Sequence, residues 1–125
     1  MANQTDETTN LEAVEMDHIE IIGKSVAILR DRNEQYGDVS DVFYRACGIF
    51  EMITGEPISR YHATVFMHSL KLARIKNAPG KMDNYIDAIN YMAFAGQFSG
   101  EKVAQTFVDD GVREMAEKLS PQYTE

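Results

Sequence analysis

An all-α fold, a compact bundle of four to five helices, is predicted by three features of this 125-residue sequence. Apolar residues recur at three- and four-residue spacing through five successive windows, the period of helices with one buried side. Short breaks carrying glycine or proline part the windows, as between neighbouring helices of a bundle. No stretch shows the strict alternation of a half-buried strand. The length suits one domain. It spans residues 11–120, behind a polar tail at residues 1–10 that reads as disordered.

The first helix is expected to open on Thr9-Asn10-Leu11-Glu12, which fits a capping box. Leu11, Val14, Ile22, Val26 and Leu29 continue it, with Ile19 and Ile21 beside them and Gly23 as a weak point. It fades near Arg32–Gln35, where Tyr36-Gly37-Asp38 reads as a turn. A second helix, about Val39–Ile53, takes its apolar face from Val42, Phe43, Ala46, Ile49, Phe50 and Ile53. Thr54-Gly55-Glu56-Pro57 stops it through a glycine cap followed by proline. Ser59 caps a third helix reaching about Lys76, with Val65, Phe66, Leu70, Leu72 and Ala73 as its expected buried side. Asn77-Ala78-Pro79-Gly80 breaks it. A fourth helix, about Met82–Phe98, places Met82, Ile86, Ile89 and Ala93 on one face and ends at Ser99-Gly100. A fifth, Val103–Leu119, is amphipathic through Phe107, Val108, Val112, Met115 and Leu119, and Pro121 closes it.

Composition narrows the function classes. A net charge of −8 argues against nucleic acid as partner, since phosphate contacts need clustered Lys and Arg. No apolar run approaches the length of a membrane span, which argues against a membrane partner. The polar N-terminus lacks the basic start and apolar centre of a secretion signal, so a cytoplasmic protein is expected. The single Cys47 sits among apolar residues and reads as a small buried hydrophobe. One Cys and three scattered His give no zinc pattern.

Three polar groupings ask for more than packing. Asp83, Asp87 and Asn90 fall at i, i+4 and i+7, with Tyr91 next to them, on a stripe bordering the apolar face of the fourth helix. Like charges at i, i+4 repel on a bare helix. A cation or a hydrogen-bonded ligand between them would offset that cost, while the plainer reading gives Asp83 to the helix N-terminus. Lys71 and Arg74, at i, i+3 on the third helix, are either ion-pair partners of those carboxylates or cations that grip phosphate oxygens. Around the Tyr-Gly-Asp turn stand Arg32, Tyr36, Asp38 and Asp41. Asp38 suits a helix cap; Tyr36 suits stacking on a base; Asp38 and Asp41 also offer the hard oxygens that Mg²⁺ prefers.

Taken together, Arg32-x-x-x-Tyr36-Gly37-Asp38, Lys71-Leu72-Ala73-Arg74 and Asp83-x-x-x-Asp87-x-x-x-Tyr91 resemble the pattern of a group of small phage and prophage proteins without assigned function. That pattern is R-x-x-x-Y-G-D, an apolar helix, K-[LV]-x-R, a short proline break and D-x-x-x-D-x-x-G-Y. The likeness covers roughly residues 28–98 and departs at Asn90, where glycine is usual, and at Lys81, where histidine is frequent. The group is in turn similar to the all-α nucleoside triphosphate pyrophosphohydrolases of the MazG kind. The resemblance implies a MazG-like bundle, a homo-oligomer, residence in the host cytoplasm if phage-encoded, and Mg²⁺ on helix carboxylates. MazG enzymes carry E-x-x-E and later E-x-x-D; the nearest equivalents here are Asp38/Asp41 and Asp83/Asp87, the second pair spaced by four. Two functions follow as expectations. One is a Mg²⁺-dependent nucleotide pyrophosphohydrolase, with Asp38, Asp41, Asp83 and Asp87 on the metal and Arg32, Tyr36, Lys71, Arg74 and Tyr91 on the nucleotide. The other is a protein that binds or sequesters a nucleotide, or a nucleotide-derived host signal, without turnover, or that docks on a host protein. A third reading leaves the polar stripe with only a structural task, fixing helix register through ion pairs.

Overall fold

The structure is a computed structural model that describes residues 16–101 and 110–119. Five helices run in order: α1 (His18–Tyr36), α2 (Val39–Thr54), α3 (Arg60–Asn77), α4 (Met82–Gln97) and α5 (Asp110–Leu119). There is no strand among the described residues, and the helices pack into a compact bundle, so the all-α expectation holds. The α3–α4 pairing is by far the broadest; α5 lies on α2, and α1 joins the bundle chiefly through α4.

The punctuation of the sequence falls where its chemistry puts it. Asp38 caps α2 by accepting from Ser40 N–H at 2.8 Å. Gly55 closes α2 in the left-handed region, φ 79°, where a side chain would be strained. Ser59 caps α3 by accepting from His62 N–H at 2.9 Å. The first helix is the exception. It begins at His18 behind an Asp17–Glu20 capping box, in which Glu20 N–H donates to Asp17 at 2.9 Å and Asp17 N–H donates to Glu20 at 3.0 Å. Asp-x-x-Glu matches the box as well as Thr-x-x-Glu does, and aspartate is the stronger cap. The box expected at Thr9–Glu12, the tail at residues 1–10, and the expected start of the fifth helix at Val103 lie outside the described residues.

The inward faces differ from those expected. On α3, Phe66 is 66% and Leu72 50% exposed, and Ala73 is also exposed; Thr64 is fully buried instead. The side turned to α4 carries polar residues, each with its own partner. Thr64 Oγ1 donates back to the carbonyls of its own helix, Arg60 O at 2.8 Å and Tyr61 O at 2.9 Å. His68 Nδ1 lies 2.7 Å from Ala88 O, and because a carbonyl only accepts, that nitrogen carries the proton. Lys71 Nζ lies 3.2 Å from Asp87 Oδ2. Counting apolar residues picks the other face, since satisfied polar groups add nothing to such a count. The same holds on α4, where Ile86, Ala88, Asn90 and Ala95 are buried while Ile89 and Ala93 are exposed. On α1, Ser25 is buried and Ile22 and Val26 are not. On α2, Cys47 and Gly48 are buried and Ala46, Phe50 and Ile53 face out.

One apolar nucleus ties α2 to the end of α4. Phe43 meets Tyr91 edge-on at 6.5 Å and Phe94 and Phe98 at 6.1 Å each. Phe98 is buried, and the Arg60 guanidinium lies over its ring at 4.6 Å. Arg60 also pairs with Glu101 and donates to Ser40 O at 3.3 Å, so the first turns of α2 and α3 and the residues after α4 share one knot. Cys47 lies beside it, its thiol pushed up to about 11 by burial, as suits a packing residue.

Arg60 holds the Glu101 carboxyl below the usual range by hydrogen bonding, with burial opposing. A depressed carboxylate stabilises the fold above its unfolded pKa, and that contribution is lost as pH falls through the folded value. Acid unfolding should therefore be shallower in Glu101→Gln than in the wild type, measured as midpoint denaturant against pH. Parallel curves would show that the knot contributes nothing to acid sensitivity.

Candidate functional site: a cleft between the ends of three helices

A cleft of about 750 Å³ opens where the last turns of α1, the start of α2 and the middle of α4 meet. That size is ordinary for a small-molecule site. Its apolar wall comes from Leu29, Val39, Val42, Phe43 and Phe94, and its polar lining includes Arg32, Tyr36, Asp87, Asn90 and Tyr91.

The local conformation explains the convergence. Arg32 and Tyr36 are one helical turn apart, as are Asp87 and Tyr91, so each pair projects from one side of its helix. Gly37, at φ 86° and ψ −168°, turns the chain from α1 into α2 and lines the cleft itself. That backbone region is close to glycine-only. A Cβ at Gly37 would meet nothing within 4 Å, so only the backbone resists substitution. Gly37→Ala is expected to cost about 1.5 kcal/mol of stability, read by chemical denaturation. No loss would mean that the turn can relax.

The floor of the cleft is half-buried and hydrogen-bonded. Asn90, 6% exposed, donates from Nδ2 to Ser25 O at 3.5 Å and so joins α4 to α1. Burial raises the Tyr91 pKa, Asp87 adds to the rise, and Arg32 opposes it, so the hydroxyl stays protonated at neutral pH and is available as a donor. Asp87 is held from behind by Lys71, the two side chains 18% and 13% exposed. The rim is open: Arg30, Arg32 and Tyr36 are exposed, and Asp31 is occupied by Gln35, which donates to it at 3.1 Å.

The structure thus brings Arg32, Tyr36, Asp87 and Tyr91 to one cleft, with Lys71 reaching it only through Asp87. It leaves the others apart. Arg74 is exposed near the end of α3 and does not line the cleft. Asp38 is a helix cap, Asp41 an exposed acid in the first turn of α2, and Asp83 an exposed acid in the first turn of α4. Both acids suit the positive end of the helix that carries them. Among the described residues no three of His, Cys, Asp and Glu are grouped so as to hold a metal ion, so Asp38, Asp41, Asp83 and Asp87 do not assemble into one ligand set. Asn90, which the sequence places on the polar stripe without a ligand role, lines the cleft, as do Arg30, Phe43 and Phe94, to which the sequence assigns no ligand role either. For Asn90, its place in the i, i+4, i+7 stripe was the available signal.

No helix among the described residues is long and apolar enough to cross a membrane. No curated protein and no solved structure matches the chain. A family model described as a domain of unknown function (DUF6378) matches residues 21–99, from the first turn of α1 to just past α4 and so across every wall of the cleft, and the chain belongs to that family.

Proposed function

We propose that the protein binds a nucleotide in the α1–α2–α4 cleft. The observation that carries this reading is the mixed character of one lining: aromatic walls from Phe43, Phe94 and Tyr91, aliphatic ones from Leu29, Val39 and Val42, a buried amide at Asn90, and an arginine and a tyrosine at the rim. A base needs flat apolar surface and a few hydrogen-bonding groups; a phosphate needs a cation at the mouth. Arg32 makes no hydrogen bond or ion pair with a described residue, so its guanidinium is available. The motif likeness to MazG-type proteins supports the same ligand class.

Binding has more support than turnover. Hydrolysis with Mg²⁺ on Asp38, Asp41, Asp83 and Asp87 needs those carboxylates gathered, and they stand in separate roles. The exposed apolar residues Ile19, Ile22 and Val26 on α1 and Ile89 and Met92 on α4 support a homo-oligomer, checked by sedimentation.

The test is a thermal-shift screen of nucleosides, mono- and triphosphates and cyclic dinucleotides, with and without Mg²⁺, on the wild type and on Asp87→Asn. A ligand that raises the melting temperature of the wild type and not of the variant supports the cleft as its site. Silence across the panel would sink the nucleotide reading. Release of pyrophosphate from a shifting triphosphate would replace binding by catalysis.

A further inference from the structure

We infer that the cleft takes a nucleotide with a single phosphate, its base lowered onto Asn90 and its phosphate at the rim on Arg32. The inference rests on the nucleotide reading and narrows it. Two observations lead there: the charge of the lining and the depth at which its polar groups sit.

The charged residues lining the cleft are two arginines, Arg30 and Arg32, and two aspartates, Asp31 and Asp87. Their charges cancel, and Lys71 behind Asp87 adds one positive charge to the surroundings. The whole chain carries −8. One phosphate monoester brings about −1.5 to −2 at neutral pH, a large part of which one arginine at the rim, Arg32, can offset. A triphosphate brings considerably more, and no further Lys or Arg lines the cleft to receive it. Neither do the lining residues offer a gathered carboxylate set that would hold a metal to neutralise it.

Depth gives the orientation. Asn90 is 6% exposed, whereas Tyr36 is 67% exposed and Arg30 and Arg32 also stand open to water. A charged phosphate belongs at the wet end, where desolvation costs least, and a base belongs at the dry end. At the floor the Asn90 amide has one N–H spent on the Ser25 carbonyl, at a long 3.5 Å. Its Oδ1 and second N–H remain for a base edge, an acceptor and a donor side by side. Phe43 and Phe94, in ring contact with each other, line the same cleft and offer flat surface to a base, and Tyr36 at the rim can cover the sugar.

The experiment is isothermal titration of wild type, Arg32→Gln and Asn90→Leu with four nucleosides, their 5′-monophosphates and their triphosphates, the triphosphates with and without Mg²⁺. For the base that binds best, the monophosphate is expected to bind about tenfold tighter than either its nucleoside or its triphosphate, the scale of one charge-assisted contact. Arg32→Gln should lower monophosphate affinity by about tenfold and leave the nucleoside within about twofold. Asn90→Leu should weaken nucleoside and monophosphate alike; if it does not fold, the Arg32→Gln comparison decides. A triphosphate that binds tighter than its monophosphate overturns the inference and leaves the nucleotide reading standing. An equal loss on nucleoside and monophosphate in Arg32→Gln also overturns it. No heat from any ligand overturns both.

Discussion

Phe98→Ala is expected to remove about 4 kcal/mol of folding stability, the middle of the range for truncating a buried aromatic ring. Phe98 is 4% exposed and is the only buried residue touching both Phe43 and the Arg60 guanidinium among the described ring contacts. Truncation leaves a cavity under Arg60 and removes the surface on which that cation rests while it pairs with Glu101. Natural domains hold about 5–15 kcal/mol in total, so this one truncation removes a large fraction of the stability. Urea denaturation followed by circular dichroism measures it. Binding should suffer too, because Phe43 leans on Phe98 from one side and lines the cleft with the other. A loss below about 1.5 kcal/mol would mean that neighbouring side chains refill the space.

Lys71→Met is expected to cost about 2.5 kcal/mol, because it strands the Asp87 carboxylate between α3 and α4. A fully enclosed pair would lose more; here 18% of the Asp87 side chain still meets water, which softens the penalty. The double variant Lys71→Met with Asp87→Leu should recover most of the loss, since hydrophobic replacements of an ion pair fill the same volume without the desolvation cost. A double-mutant cycle on melting temperature gives the coupling. Additive losses would show that the pair does not act as a unit. The recovered double variant also separates stability from ligand recognition. Stable protein without a nucleotide response assigns Asp87 a role in the cleft beyond holding α3 against α4.

These two residues mark what the sequence could and could not reveal. The boundaries of α2 and α3 were legible because they rest on local chemistry, a cap at Asp38 or Ser59, a left-handed glycine at Gly55, a proline at Pro57 or Pro79, whereas the Asp17–Glu20 box that opens α1 was passed over. The inward faces of α3 and α4 were not legible, because Thr64, His68, Lys71 and Asn90 turn inward with their hydrogen-bonding needs met by partners that no local pattern announces. Arg60 and Glu101 are 41 residues apart, and nothing around either names the other. The candidate site was legible by halves. The one-turn spacings Arg32/Tyr36 and Asp87/Tyr91 were visible, whereas their meeting across α1 and α4 depends on packing, and the aspartates that spacing suggested for a metal are divided among separate tasks.

The broad α3–α4 pairing beside a lightly attached α1 has a consequence for how the molecule breathes. Backbone amides exchange with deuterium through openings whose free energies differ from one helix to the next. Helix α1 can lift away without parting α3 from α4, so its amides should take up deuterium well before those of α4. One wall of the cleft travels with α1 and another stays with α4. A bound molecule that touches both walls taxes every opening of α1 by its own binding free energy. The deuterium uptake of a single helix is therefore a gauge of occupancy, readable before any ligand has been identified by its chemistry.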